Sequence, residues 1–254
     1  MKTTWEEQLP FAKIKIRETD LKFSIPNQKA LFVAKQISDR EPEVYDWIDA
    51  YVTHNSLFID VGANFGQFAL YSSLKKGCNV WAFEPHFATY YVLTRNVALN
   101  NIQDLVSVFP MAVSNSSCSF DSFRLNDMSA GRALNTLDSC FKDDIDNLYK
   151  KLQGSINLKN SLNQPVIKST IDHLLSSENL TKDHSYETIH LKIDVDGTEL
   201  LVLLGASSCF DRIDSIMVEY LPDSISSHKL IAPFLNQFGF KIKNTFKGNL
   251  LLTK

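Results

Sequence analysis

A doubly wound α/β fold, with a mostly parallel sheet ending in an antiparallel hairpin, is predicted by three features of the chain. Short apolar runs alternate with helical patterns from Leu57 to Val113, which is the signature of parallel β-α-β units covered on both faces. Acids and glycines stand where strands turn into helices, at Asp60–Gly66 and Asp194–Glu199. Two final apolar runs flank Lys247-Gly248, a hairpin signal.

The elements follow in order. Residues 12–34 alternate polar and apolar side chains in places, and Pro26 breaks them into two strand-like pieces, so a hairpin or cap is expected. In EPEVYDWIDAYVT (41–53) acids and a proline precede Val44, Trp47, Ile48 and Tyr51 at helical spacing, which predicts an amphipathic helix. Together these make residues 1–56 an N-terminal cap on a domain spanning 57–254.

LFIDV reads as a strand, QFALYSSLKK as a helix, NVWAFE as a strand, HFATYYVLTRNVALN as a helix and LVSVFP as a strand. The rhythm stops after Val113. Residues 114–165 are rich in Ser, Asn and Asp, with one helical piece around Leu137 to Leu152 and no strand strong enough to extend a parallel sheet. This segment is expected to be an insertion, and long insertions commonly serve function. VIKST resumes strand character, IDHLL is a short helix, and a polar loop reaches Tyr186. IHLKIDV, TELLVLLGA and SIMVEY then read as strand, helix and strand. A helix near 227–238 leads into FKIKNTF and NLLLTK, the hairpin.

Hydrophobic residues form 44% and charged residues 22% of the 254 residues, an ordinary globular balance. That length favours one large domain with elaborations. A net charge of −3 offers a polyanion no long-range attraction, so no nucleic-acid partner is expected. Cys78, Cys118, Cys140 and Cys209 form no C-x-x-C pair, which suits reduced thiols in a cytoplasm. The acids of MKTTWEEQLP do not suit a signal peptide, and no apolar run reaches membrane-spanning length. The triplets at Asn115 and Asn179 are then chance glycosylation matches.

Asp60-Val61-Gly62-Ala63-Asn64-Phe65-Gly66 sits where a strand becomes a helix. Gly62 and Gly66 permit a tight turn and close approach of a ligand, and the amides opening the helix can receive an anionic group. The Gly-x-x-x-Gly spacing is a poor match to the Gly-x-Gly-x-x-Gly of dinucleotide binders. Glu84 ends the next strand, where a carboxylate can accept ribose hydroxyls or favour the following helix start. Asn64 and Phe65 are candidates to line the same pocket. The third constellation, Lys192 to Glu199, also joins strand to helix. Asp196 and Glu199 there could form a local capping box, which leaves Asp194 unexplained.

Taken in order from about Glu41 to Phe240, IDVGANFGQFAL, WAFEP, STIDHLL, LKIDVDGTELLVLLGA and IMVEYLP resemble the successive motifs of FkbM-type methyltransferases. The resemblance implies a class I, Rossmann-like enzyme with a seven-stranded sheet, S-adenosyl-L-methionine as cofactor, and O-methylation of a sugar, glycolipid or secondary metabolite. It implies cofactor roles for Asp60, Gly62, Asn64, Gly66 and Glu84, and active-site roles for Asp194, Asp196 and Glu199. Asp196 and Thr198 stand where Glu and Ala are more familiar in the family.

An acceptor alcohol must lose its proton. Asp194 and Asp196, then His86 and His173, are candidate general bases. The alternative is Mg²⁺ held by Asp194 or Asp196 with Glu219, acidifying the hydroxyl. His54, His184, His190 and His228 show no metal-ligand spacing, and Lys192 reads as a partner for a neighbouring acid. The rival readings are a nucleic-acid methyltransferase on the same fold, a nicotinamide-dependent dehydrogenase, and a noncatalytic scaffold. Acceptor identity and oligomeric state stay open.

Overall fold

The computed structural model of the chain describes residues 9–37, 39–125, 129–131, 135–137, 162–177, 185–220 and 228–254. β1 (Phe11–Ile16) and β2 (Thr19–Ser24) pair antiparallel, and the turn between them holds Arg17 at φ 53°. Both strands precede Pro26. The piece after Pro26, expected as a strand, is instead a helix, α1 (Gln28–Gln36), whose N-cap Asn27 accepts from the Ala30 amide. Capping and a buried stripe of Ala30, Ala34 and Ile37 outweigh the local alternation there. α2 (Pro42–Tyr51) opens with its proline and buries Val44, Tyr45, Trp47 and Ile48, as its spacing predicts.

The alternating elements follow as β3 (Ser56–Val61), α3 (Gln67–Lys76), β4 (Asn79–Phe83), α4 (Phe87–Leu99) and β5 (Val106–Phe109). β6 (Ala112–Val113), β7 (Ser119–Leu125), β8 (Thr136–Leu137), β9 (Leu162–Ser169) and α5 (Ile171–Ser176) come next. The chain then returns through β10 (Thr188–Ile193), α6 (Glu199–Leu204), a 3₁₀ turn at Ser207–Arg212 and β11 (Ser215–Glu219). It finishes with α7 (His228–Asn236), β12 (Lys241–Thr245) and β13 (Asn249–Thr253).

Seven strands form the main sheet in the order β12-β13-β11-β10-β3-β4-β5. β11, β10, β3, β4 and β5 run parallel, while β13 lies antiparallel to both β11 and β12. The order reverses between β3 and β10, the switch point at which open α/β sheets bind ligands. Side chains alternate across β3, so Phe58 packs with Trp47, Phe68 and Tyr71 on one face. Leu57, Ile59 and Val61 pack with Ile171, Leu203 and Phe210 on the other. Asn96 of α4 holds the N-terminal hairpin to this layer by accepting from the Ser24 amide at 2.7 Å.

The described residues of the segment 114–165 add no strand to the main sheet but build one of their own. β7 pairs with β9 from Ser119↔Lys168 to Leu125↔Leu162, in a separate sheet ordered β6-β9-β7-β8. Its core gathers Ala112, Phe123, Leu125, Leu137, Val166 and Leu201. Phe123 and Leu125 are spaced by two, the period of a strand with one buried face. Such a strand does not resemble the continuous apolar runs of a buried parallel sheet. Leu137 belongs to β8, and the rest of the helix expected up to Leu152 lies outside the described residues, as do Cys140, Asn179 and His184. Among the described residues Cys78, Cys118 and Cys209 are free thiols, and no helix is long and apolar enough to cross a membrane.

Candidate functional site

A cavity of about 260 Å³ opens at the carboxyl edge of β3, β4, β10 and β11. Gly62, Asn64, Phe65, Glu84, Asp194, Asp196 and Glu219 all line it, so the fold brings together two constellations that lie more than a hundred residues apart in the chain. Asp60, Gly66 and Glu199 stand behind its wall.

At the β3 edge the chain turns through Gly62 at φ +82° and Asn64 at φ 51°. A Cβ on Gly62 would lie 1.8 Å from the Asp194 carbonyl oxygen. The demand for glycine is therefore set by the neighbouring strand, whose Asp194 amide donates to the Val61 carbonyl at 3.0 Å. Gly66 likewise packs against protein, since its Cβ would meet Leu93 Cδ1 at 2.3 Å. Three non-glycine residues of the cavity wall, Glu41, Asn64 and Asp196, adopt the left-handed conformation. Each such residue costs about 1–3 kcal/mol, and such strain clusters at functional sites. The buried Asn64 Oδ1 has no hydrogen-bond partner among the described residues.

Glu84 receives the Asn64 amide on Oε2 at 3.0 Å and the His86 amide on Oε1 at 2.8 Å. Each oxygen keeps a further acceptor position, because a carboxylate has about four. Burial pushes the Glu84 carboxyl up to about 7, against the pull of those two amides. The macrodipole reading also has a basis here, but the cap of α4 is His86, whose Nδ1 accepts from the Ala88 and Thr89 amides. That bonding makes His86 the helix cap, off the cavity wall. His173 is exposed on α5 and lies 3.7 Å from Cys118 Sγ, also away from the cavity. Neither histidine meets the geometry of a base at this site.

Under the floor sits one buried ammonium. Lys192 Nζ lies 3.2 Å from Asp194 Oδ2 and 3.8 Å from Asp60 Oδ1, and 5.0 Å from the centre of the Phe68 ring. Its burial lowers its proton affinity, but Asp194, Asp60 and Glu41 together raise it further, so it stays charged. Asp60 is wholly buried, and burial pushes it up to about 6 despite Lys192. Its place, expected at the cofactor, is beside Lys192. Asp194 feels burial as an upward push, outweighed by Lys192 and by a hydrogen bond from Glu219, and is held ionised. Glu219 is driven up by burial and by Asp194, and keeps its proton.

Glu199 is fully buried, and its Oε1 accepts the Val195 amide at 3.2 Å and the Gly197 amide at 3.0 Å. It shapes the loop that presents Asp196. The helix cap is Thr198, not Asp196, which removes the capping-box account. Among the described residues no group of three or more His, Cys, Asp or Glu side chains is arranged to hold a metal ion. Of the residues expected to hold Mg²⁺, Asp194 is hydrogen-bonded by Lys192 at 3.2 Å and by Glu219, which keeps its proton.

Arg40 and Glu41 also line the cavity; the sequence reading took Glu41 only as the start of a helix and gave Arg40 no role. A glutamate directly ahead of the N1 proline, where Ser, Thr, Asp or Asn is the usual cap, is the signal in the chain that could have singled them out. Met111, Phe123 and Asn135 come from the second sheet and its loops, beyond the reach of local pattern.

Residues 60–242 match the family model of the methyltransferase FkbM domain. The chain belongs to that family. Methyltransferase 1 of Beauveria bassiana is 27% identical over 74% of this chain and 73% of its own. A tRNA (guanine(37)-N(1))-methyltransferase of Theileria parva is 48% identical over 58 residues, which are 22% of this chain and 12% of that protein. An RNA methyltransferase from Salinibacter ruber, solved with S-adenosyl-L-homocysteine, superposes with TM-score 0.41 at 9% identity over 84% of this chain and 89% of that one. The family is thus the one that the motifs from Asp60 onward resemble, and the mostly parallel seven-stranded sheet agrees with it.

Proposed function

We propose that this FkbM-family protein is an S-adenosylmethionine-dependent O-methyltransferase of the cytoplasm. Its acceptor would be a hydroxyl of a sugar, glycolipid or secondary metabolite, and residues 1–56 would act as a cap that lends Arg40 and Glu41 to the site. The observation that carries the reading is the continuity of the cavity, which joins the glycine turn and Glu84 to Asp194, Asp196 and Glu219. The walls suit the ligand. Glu41, Glu84, Asp194, Asp196 and Glu219 face Arg40 and Lys192, a balance that favours a ligand with ammonium, sulfonium and ribose hydroxyls, and Asn64 Oδ1 waits for a donor.

When bound, the cofactor supplies a methyl group on a positively charged sulfur. Glu84 would accept the ribose hydroxyls through the positions that the Asn64 and His86 amides leave open, with Gly62, Asn64 and Phe65 completing that wall. Asp194, ionised beside Lys192, would accept a hydrogen bond from the acceptor hydroxyl and orient it, and alignment is a large part of such catalysis. Asp196, at the tip of the loop braced by Glu199, would take the proton as general base. Phe65, Phe83, Phe123 and Leu137 line the same space and would exclude water. No metal enters this route.

A nucleic-acid acceptor is the second reading, favoured by the local identity to the Theileria parva enzyme and opposed by the acidic cavity wall. Calorimetric titration with S-adenosylmethionine, S-adenosylhomocysteine and NAD is the first test. It should give binding of the adenosyl ligands alone, weakened in Glu84→Ala. Turnover of hydroxylated small molecules in the presence of a chelator should follow. Methylation of tRNA in preference to those acceptors would overturn the substrate class, and NAD binding alone would overturn the whole reading.

A further inference from the structure

Among the described residues the cavity wall carries two cations, Lys192 and Arg40, and of these two only Arg40 is available to a ligand. Lys192 is 2% exposed and is surrounded by Asp194, Asp60 and Glu41, with its ammonium over the Phe68 ring. Its charge is already matched. Arg40 is exposed, and its backbone amide is tied to the Gln36 carbonyl at 3.1 Å, directly ahead of the Glu41 cap of α2. Its guanidinium forms no hydrogen bond or ion pair with the described residues, and it acts on Asp194 only through its field.

We propose that Arg40 binds the α-carboxylate of the cofactor, an inference that rests on the S-adenosylmethionine reading of this cavity. The ligand's ammonium, sulfonium and hydroxyls all suit an acidic wall, whereas its carboxylate is repelled by the ionised acids there, Asp194 above all. That group needs a cation. The amides opening α3, where Gly66 supplies no side-chain cap, can take one side of the carboxylate. The planar guanidinium suits the other, since it can give two parallel hydrogen bonds. An anionic acceptor is a poorer partner for Arg40, because it would also have to enter beside Asp194 and Asp196.

The test compares four ligands by calorimetry on the wild type, Arg40→Gln and Arg40→Lys: S-adenosylmethionine, S-adenosylhomocysteine, decarboxylated S-adenosylmethionine and 5′-methylthioadenosine. The first two carry the carboxylate and the last two lack it. Arg40→Gln should weaken the first pair roughly 10- to 100-fold, the usual weight of a hydrogen bond to a charged group. It should leave the second pair within about twofold, and Arg40→Lys should recover part of the loss. Thermal melts should stay close to wild type, because the side chain is exposed. Equal weakening of all four ligands, or of none, overturns the assignment while the cofactor reading stands. Failure of the wild type to bind any of the four removes both.

Discussion

Gly62→Ala tests how the β3 edge of the cavity is built. At φ +82° an alanine costs about 1–2 kcal/mol relative to glycine. Its Cβ would also sit 1.8 Å from the Asp194 carbonyl oxygen and 2.9 Å from the carbonyl carbon, both backbone atoms that cannot rotate away. Relief requires the ends of β3 and β10 to part, at the overpacking cost of about 1–3 kcal/mol. The total is roughly 2–5 kcal/mol. Gly77→Ala is the control, since Gly77 also has positive φ, at +68°, but has nothing within 4 Å of an added Cβ. It should lose only the conformational part, about 1–2 kcal/mol. Urea unfolding of both variants at one pH measures the difference, with unchanged slope as the check on two-state behaviour. Equal destabilisation by the two substitutions would refute the claim that strand-to-strand contact, and not conformation alone, demands glycine at 62.

Lys192→Met should destabilise by about 3–5 kcal/mol, because it strands buried acids; denaturant midpoints check this, and a loss under 1 kcal/mol would mean that the ammonium is not their counter-charge. Asp60 and Glu84 hold their protons at about 6 and about 7, above their unfolded values. The stability they contribute is therefore fully present below the unfolded values near 4 and is lost as pH rises through 6 and 7. Urea midpoints should accordingly rise from pH 8 to pH 5, with Glu84→Gln showing a shallower rise; a fall over that window would be contrary. His86→Ala should cost about 0.5–2 kcal/mol as a lost cap without moving the pH profile of methyl transfer, which a shifted profile would contradict. Asp196→Asn should slow turnover roughly 10²- to 10⁴-fold with cofactor affinity nearly unchanged, as single-turnover assays and calorimetry can separate.

Where hydrophobic period and strand-helix alternation coincide, the chain was legible. LFIDV, NVWAFE, IHLKIDV and SIMVEY are β3, β4, β10 and β11, and the terminal runs around Lys247-Gly248 pair as β12 and β13. Two kinds of segment resisted. The piece after Pro26 mixes polar and apolar residues in a way that suits either period, and the Asn27 cap with a tertiary neighbour decides for helix. β7 alternates like an edge or half-buried strand, and its partner β9 lies beyond a long intervening stretch, so nothing local announces the pairing.

The same division runs through the site. Sequence by itself determined the family, the fold and the polar edge of the wall: Gly62, Asn64, Phe65, Glu84, Asp194, Asp196 and Glu219 stand at or just beyond the ends of strands that the pattern identifies, and parallel strands bring such ends to one edge. Only the tertiary structure decided what each charge does. It set Asp60 against Lys192 under the floor, gave Glu199 the amides of its own loop, turned His86 into a helix cap and carried Arg40 to the cavity from outside the parallel units. A residue's charge is written in the chain, but its proton affinity and its partner depend on burial and on neighbours distant in sequence.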